Sequence, residues 1–125
     1  MNRMSARLAA CAGLLPLAVG PAAAANSDKA YQLATTIGPI IEKCWIKSND
    51  PAFADYIYSP EPNASSGPRI LIVPRKNPAA APALAIQINP EGTHVSVFGR
   101  LAESPQAGRI SADLKRWLAG GSECS

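Results

Sequence analysis

Beyond residue 26 the apolar positions first follow helical spacing. Tyr31, Leu33, Ala34, Ile37, Ile40, Ile41, Cys44 and Trp45 recur at the three-and-four interval of a helix that buries one face. Asn26 or Ser27 can cap it, and Asp28 suits the positive first turn. Gly38-Pro39 interrupts the stripe. Pro39 has no N–H to donate and crowds Thr35, so the pattern predicts either a kink or two abutting helices that share a face. Ser48-Asn49-Asp50-Pro51 stops the element.

The pattern then changes to strands. Residues 53–58, aromatic with Asp55 as the polar break, read as a first strand at a sheet edge. Residues 59–68 hold three prolines, one glycine and small polar residues, and read as a loop. The unbroken run from Arg69 to Pro74 predicts a central strand buried on both faces. A Pro/Ala-rich connection leads to residues 83–89, where Leu84, Ile86 and Ile88 alternate with smaller or polar neighbours. Asn89-Pro90-Glu91-Gly92-Thr93 turns the chain into residues 94–100, so these two strands should form an antiparallel hairpin.

The last element carries Ala107, Ile110, Leu114, Trp117 and Leu118 as an apolar stripe and ends at Gly120-Gly121. Ser104 and Pro105 offer a cap and a first helical residue, although Gly108 weakens that start and favours one nearer Arg109. The expected fold class is α+β: a small, mainly antiparallel sheet of three to four strands, with an N-terminal and a C-terminal helix on one face. Ile70, Ile72, Leu84, Ile86, Ile88, Val95 and Val97 are the expected sheet side of the core. Tyr31, Leu33, Ile37, Ile41, Trp45, Ile110, Leu114 and Trp117 are the expected helical side.

The N-terminus places the chain in a compartment. Arg3 and Arg7 precede an apolar run over residues 8–19 and a small-residue end at Ala22-Ala23-Ala24-Ala25, the layout of a cleaved export signal. Residues 1–25 are therefore read as a signal peptide and 26–125 as one domain in the periplasm or outside the cell. Glycine and proline interrupt the run, which is shorter than the roughly 20 residues a membrane span needs, so no stable span is expected after cleavage. Cys11 follows Leu8-Ala9-Ala10 in the manner of a lipid attachment site, but most of the apolar run lies after it. The favoured reading discards it with the signal.

Cleavage leaves Cys44 and Cys124 in an oxidising compartment. Bonding to each other is the expected outcome, with an intermolecular bond or a free thiol as alternatives. A bond between them closes a loop of about 80 residues, valued at roughly 4–5 kcal/mol by chain entropy. Cleavage also lowers the basic count from 12 to 10 against 9 acids, and the formal charge from +3 to +1. That small excess argues against a nucleic-acid partner.

Candidate chemistry is sparse. His94 is the one histidine and sits beside a turn, with no nucleophile-elbow sequence to accompany it. No Cys-x-x-Cys pair, haem site, glycine-rich phosphate loop or paired carboxylates appear, so no metal or cofactor is expected. Arg109, Lys115 and Arg116 read as a solvated helix face. Tyr56, Tyr58, Arg69 and Arg75 remain as candidate binding residues around the edge and central strands.

A helix closing in Cys44-Trp45, strands joined by Asn89-Pro90-Glu91-Gly92, a last helix and a terminal Cys124 together resemble the C-terminal domain of TolA, in the TonB/TolA class of periplasmic domains. The chain also resembles small exported bacterial proteins with no assigned function. The TolA resemblance implies helices against a small antiparallel sheet and binding of envelope proteins through an exposed sheet edge. A longer Pro/Ala-rich stretch over residues 59–82 departs from that pattern.

The expected function is a non-enzymatic envelope module that binds another envelope protein or peptide, by strand addition at residues 53–58. The alternative is a small enzyme or ligand carrier with a polar site built from Asp55, Glu61, Arg69, Arg75 and His94. A purely structural envelope component is a third reading.

Overall fold

The computed structural model describes residues 12–16 and 27–125. The export-signal reading and Cys11 rest on residues outside that set, apart from the short piece 12–16.

The fold is α+β, with two α-helices on one face of a four-stranded sheet. Helix α1 spans Asp28–Ile41 and α2 spans Ala107–Leu118; strands β1 (Tyr56–Glu61), β2 (Arg69–Pro74), β3 (Leu84–Ile88) and β4 (Val95–Phe98) lie between them. The sheet is an antiparallel meander in the order β1-β2-β3-β4. Each strand is thus adjacent to its sequence neighbour, the connection that short turns favour.

Helix α1 begins where the sequence places it: Ser27 Oγ accepts the Ala30 N–H at 3.1 Å, and Asp28 occupies the first turn. Pro39 lies inside a continuous helix rather than between two. The chain then widens into a π turn over Glu42–Ile46, closed by the Lys47 N–H on the Glu42 carbonyl at 2.9 Å. Within that turn the consecutive residues Cys44 and Trp45 are both buried. Asn49, with φ of 59°, takes the left-handed exit that asparagine tolerates.

The first strand lies further along the chain than its aromatic composition predicts. Asp50 Oδ1 accepts the Ala52 N–H at 2.9 Å and starts a 3-10 turn over Pro51–Phe53. That turn drives Phe53 into the core, stacked on Trp45 with centroids 5.1 Å apart. The strand begins at Tyr56 and continues through Pro60 to Glu61, three residues into the expected loop. Pro60 is tolerated there because β1 is an edge strand. At the other end, Ser104 caps a turn that precedes α2 by accepting the Gln106 N–H at 3.1 Å, and α2 itself starts at Ala107.

Register assigns the faces. Ile70, Ile72, Leu84, Ile86 and Ile88 point to the helices and are buried against Ala30, Ala34, Ile37, Ile41, Ile110, Leu114 and Trp117. Tyr31 does not join them; it is 47% exposed, because the buried stripe of α1 runs through Ala30, Ala34, Ile37 and Ile41 instead. Leu33 and Val95 are half-buried, and Val97 is 37% exposed. The far face of the central strand is covered in part: Val73 is buried and Leu71 half-buried, and Pro78, Ala79, Ala80 and Pro82 line a cavity over them with Ala85.

The turn that closes the first helix and the C-terminal tail meet at sulfur. Cys44 and Cys124 are bonded, with Cα atoms 5.1 Å apart. Trp117 Nε1–H donates to the Glu123 carbonyl at 2.7 Å and holds the tail beside the bond. Beneath it Asp113 is 4% exposed. Its Oδ2 accepts from Trp45 Nε1 at 2.8 Å and its Oδ1 from Arg116 at 2.7 Å. Arg109 Nε stands 3.6 Å from Oδ2 and also pairs with Asp50. The arginines expected to lie on a solvated face are instead organised around a buried carboxylate.

Burial acts to raise the Asp50 carboxyl, but the Ala52 N–H and the Arg109 guanidinium outweigh it and hold the group below its ordinary value of 3.8. A lowered folded-state value contributes stability above the unfolded one and loses it as pH falls. Wild-type stability is therefore expected to decline below about pH 4 more steeply than that of Asp50→Asn, in urea titrations compared at pH 6 and pH 3. Parallel curves for the two proteins would remove Asp50 from the acid response.

Candidate functional site

A meander leaves two strand edges without partners, and here they differ. In β1 the Asp55 carbonyl accepts the Arg75 N–H at 2.8 Å, so by alternation Ile57, Ser59 and Glu61 bond to β2 while Tyr56, Tyr58 and Pro60 direct their peptide groups outward. Pro60 has no N–H to offer. Arg75 covers the outward carbonyl of Tyr56 with a 3.3 Å hydrogen bond. The edge expected to bind is thus blunted by devices that block strand addition.

The β4 edge carries no such block. The Asn89 N–H donates to the His94 carbonyl at 3.0 Å, which sets His94, Ser96 and Phe98 to bond to β3 and turns the peptide groups of Val95 and Val97 outward. The side chains of Val95 and Val97 lie on the helix face. With Ala102, Ala107, Ile110, Ser111, Leu114, Lys115 and Leu118 they line an apolar groove of about 290 Å3 between β4 and α2. Gly99 ends the strand at a φ of 116°, where a Cβ would stand 2.5 Å from the Ala83 carbonyl oxygen, so the turn out of β4 requires glycine. On the opposite face Phe98 is 54% exposed.

The four candidate residues divide into separate places. Arg69 pairs with Glu61 across the β1–β2 ladder on the face away from the helices. Tyr58 is half-buried under α1, where its hydroxyl would meet a Cβ on Gly38 at 2.3 Å. Burial, and then the charge of Glu42, push its hydroxyl above the ordinary tyrosine value of 10.0. Tyr56 and Arg75 share a polar pocket with Asp55, Pro74, Lys76 and Arg100. His94 is exposed in the β3–β4 turn, its N–H donating to Asn89 Oδ1 at 2.9 Å. Of Asp55, Glu61, Arg69, Arg75 and His94, no more than two line any one of these pockets. Among the described residues no group of three His, Cys, Asp or Glu side chains is placed to hold a metal ion.

No protein-family model, curated protein or solved structure matches the chain.

The sequence reading missed the β4 edge, Asp113 and Arg100. The signal for Asp113 was present: it stands three residues after Ile110 and four before Trp117, a carboxylate inside the apolar stripe. The edge of β4 had no comparable signal, because Val95 and Val97 alternate as a half-buried strand does whether or not a neighbour lies beyond it.

Proposed function

We propose that the chain is an exported, non-enzymatic module that binds an extended segment of another envelope protein or peptide by adding it as a strand to β4. The observation that carries this reading is the pair of outward peptide groups at Val95 and Val97 beside the groove of α2. Their natural complement is another extended main chain, and each added hydrogen bond contributes about 0.5–1.5 kcal/mol net. Alternate side chains of the added strand face α2, so the partner carries apolar residues at every second position. The reading of residues 1–25 as an export signal, together with the disulfide, supports a partner outside the cytoplasm. The resemblance to the TolA C-terminal domain supports the same mode through the exposed edge it implies. Among the described residues no helix is long and apolar enough to cross a membrane.

Peptides selected from a random displayed library on the disulfide-bonded domain test the proposal. The expected binders show alternating apolar residues. Val97→Pro should weaken them at least about tenfold without unfolding the domain, since the N–H it removes makes no bond to β3. Binding that is indifferent to Val97→Pro overturns the reading. So does a wild-type dimer that Val97→Pro dissolves, which would assign the edge to a second copy.

A further inference from the structure

The polar pocket at the end of the sheet carries a second inference, independent of the β4 groove. It is formed by Asp55, Tyr56, Pro74, Arg75, Lys76 and Arg100 and measures about 310 Å3. Three cations from two separate segments converge there against one carboxylate. The described ion pairs join Lys47 to Glu42, Arg69 to Glu61, Arg109 to Asp50 and Asp113, and Arg116 to Asp113. Arg75, Lys76 and Arg100 take part in none of them, and neither does Asp55.

Both arginine heads contact Tyr56. Arg75 donates to the Tyr56 carbonyl at 3.3 Å, and the Arg100 guanidinium lies 5.7 Å from the centre of the Tyr56 ring. Each contact engages one side of a planar guanidinium and leaves most of its N–H donors unspent. Lys76 adds an exposed point charge. Like charges held together repel, and a bound anion relieves that repulsion.

We propose that this pocket binds a phosphate-bearing ligand. The three cations exceed Asp55 by two positive charges, which matches the near-dianion of a phosphate monoester at neutral pH better than the single charge of a carboxylate. Two guanidinium forks and an ammonium also suit an anion with several acceptor oxygens. The phosphate belongs either to a small soluble ester or to a lipid headgroup, and the site chemistry is the same for both.

The test uses the intact disulfide-bonded domain. Inorganic phosphate is titrated at neutral pH and constant ionic strength while amide NMR shifts are followed. Saturable shifts are expected at Tyr56, Arg75, Lys76 and Arg100. In Arg75→Gln/Arg100→Gln affinity should fall at least about tenfold with the remaining spectrum unchanged. A second arm sediments the protein with phosphatidic acid vesicles and with phosphatidylcholine vesicles. Selective sedimentation with phosphatidic acid assigns the headgroup source, and phosphate binding without sedimentation assigns the soluble one. The proposal fails if chloride at matched ionic strength produces the same shifts, or if the double variant, shown to be folded, binds phosphate as the wild type does.

Discussion

Replacing Cys44 and Cys124 together with alanine is expected to destabilise the domain by about 4–5 kcal/mol. The bond joins positions 80 apart in sequence, so in the reduced chain the denatured ensemble regains nearly the freedom of the whole domain. Tm should fall by roughly 20 °C for a domain of this size. The fold itself should persist under mild conditions, because the tail keeps a second hold. Trp117 Nε1 and Arg116 Nε both donate to the Glu123 carbonyl, at 2.7 and 3.2 Å. Thermal unfolding with and without reductant reads the effect in the wild type, and the double variant should be insensitive to reductant. A loss below about 1 kcal/mol would mean that the denatured chain stays confined without the bond.

Asp113→Ala is the second large effect, expected at about 2–4 kcal/mol. Removing the carboxylate leaves the Trp45 indole N–H buried without an acceptor and takes from Arg116 its charged partner. The estimate stays below that for a fully enclosed pair because the side chains of Arg109 and Arg116 are 37% and 31% exposed and regain water. Arg109 also keeps Asp50. Asp113→Asn retains an acceptor for Trp45 while removing the charge, so it should lose roughly half as much. Urea midpoints measured at unchanged m-value separate the two. Equal losses for Ala and Asn would show that charge, rather than the indole hydrogen bond, sets the requirement.

These two sites show why some of the structure was legible in the sequence and some was not. Cys44 and Cys124 could be paired because reading residues 1–25 as an export signal sets Cys11 aside and leaves no other thiol. The strands at Arg69–Pro74 and Leu84–Ile88 were legible because a buried strand must be apolar on each face that it buries. The shift of β1 from residues 53–58 to Tyr56–Glu61 was decided by Asp50 and Pro51, whose capping turn took Phe53 out of the strand and into the stack on Trp45. Composition alone favours Phe53 as a strand residue. Tyr31 fails as a core residue for a related reason: the spacing of the apolar positions admits it, but the stripe that is buried runs through Ala30, Ala34, Ile37 and Ile41. The site was less legible than the fold. Tyr56 and Arg75 do meet, but Arg100, which completes their pocket, is brought there from beyond β4 by tertiary structure.

Strand addition requires that the outer side of β4 be vacant, and amide hydrogen exchange on the isolated domain measures this directly. Ser96 and Phe98, bonded to Gln87 and Ala85 across the β3–β4 ladder, should exchange slowly. Val95 and Val97 should exchange near solvent rates and become protected when a selected peptide binds. Slow exchange at all four residues in the free domain, or no added protection at Val95 and Val97 in the complex, would contradict β4 as the docking edge.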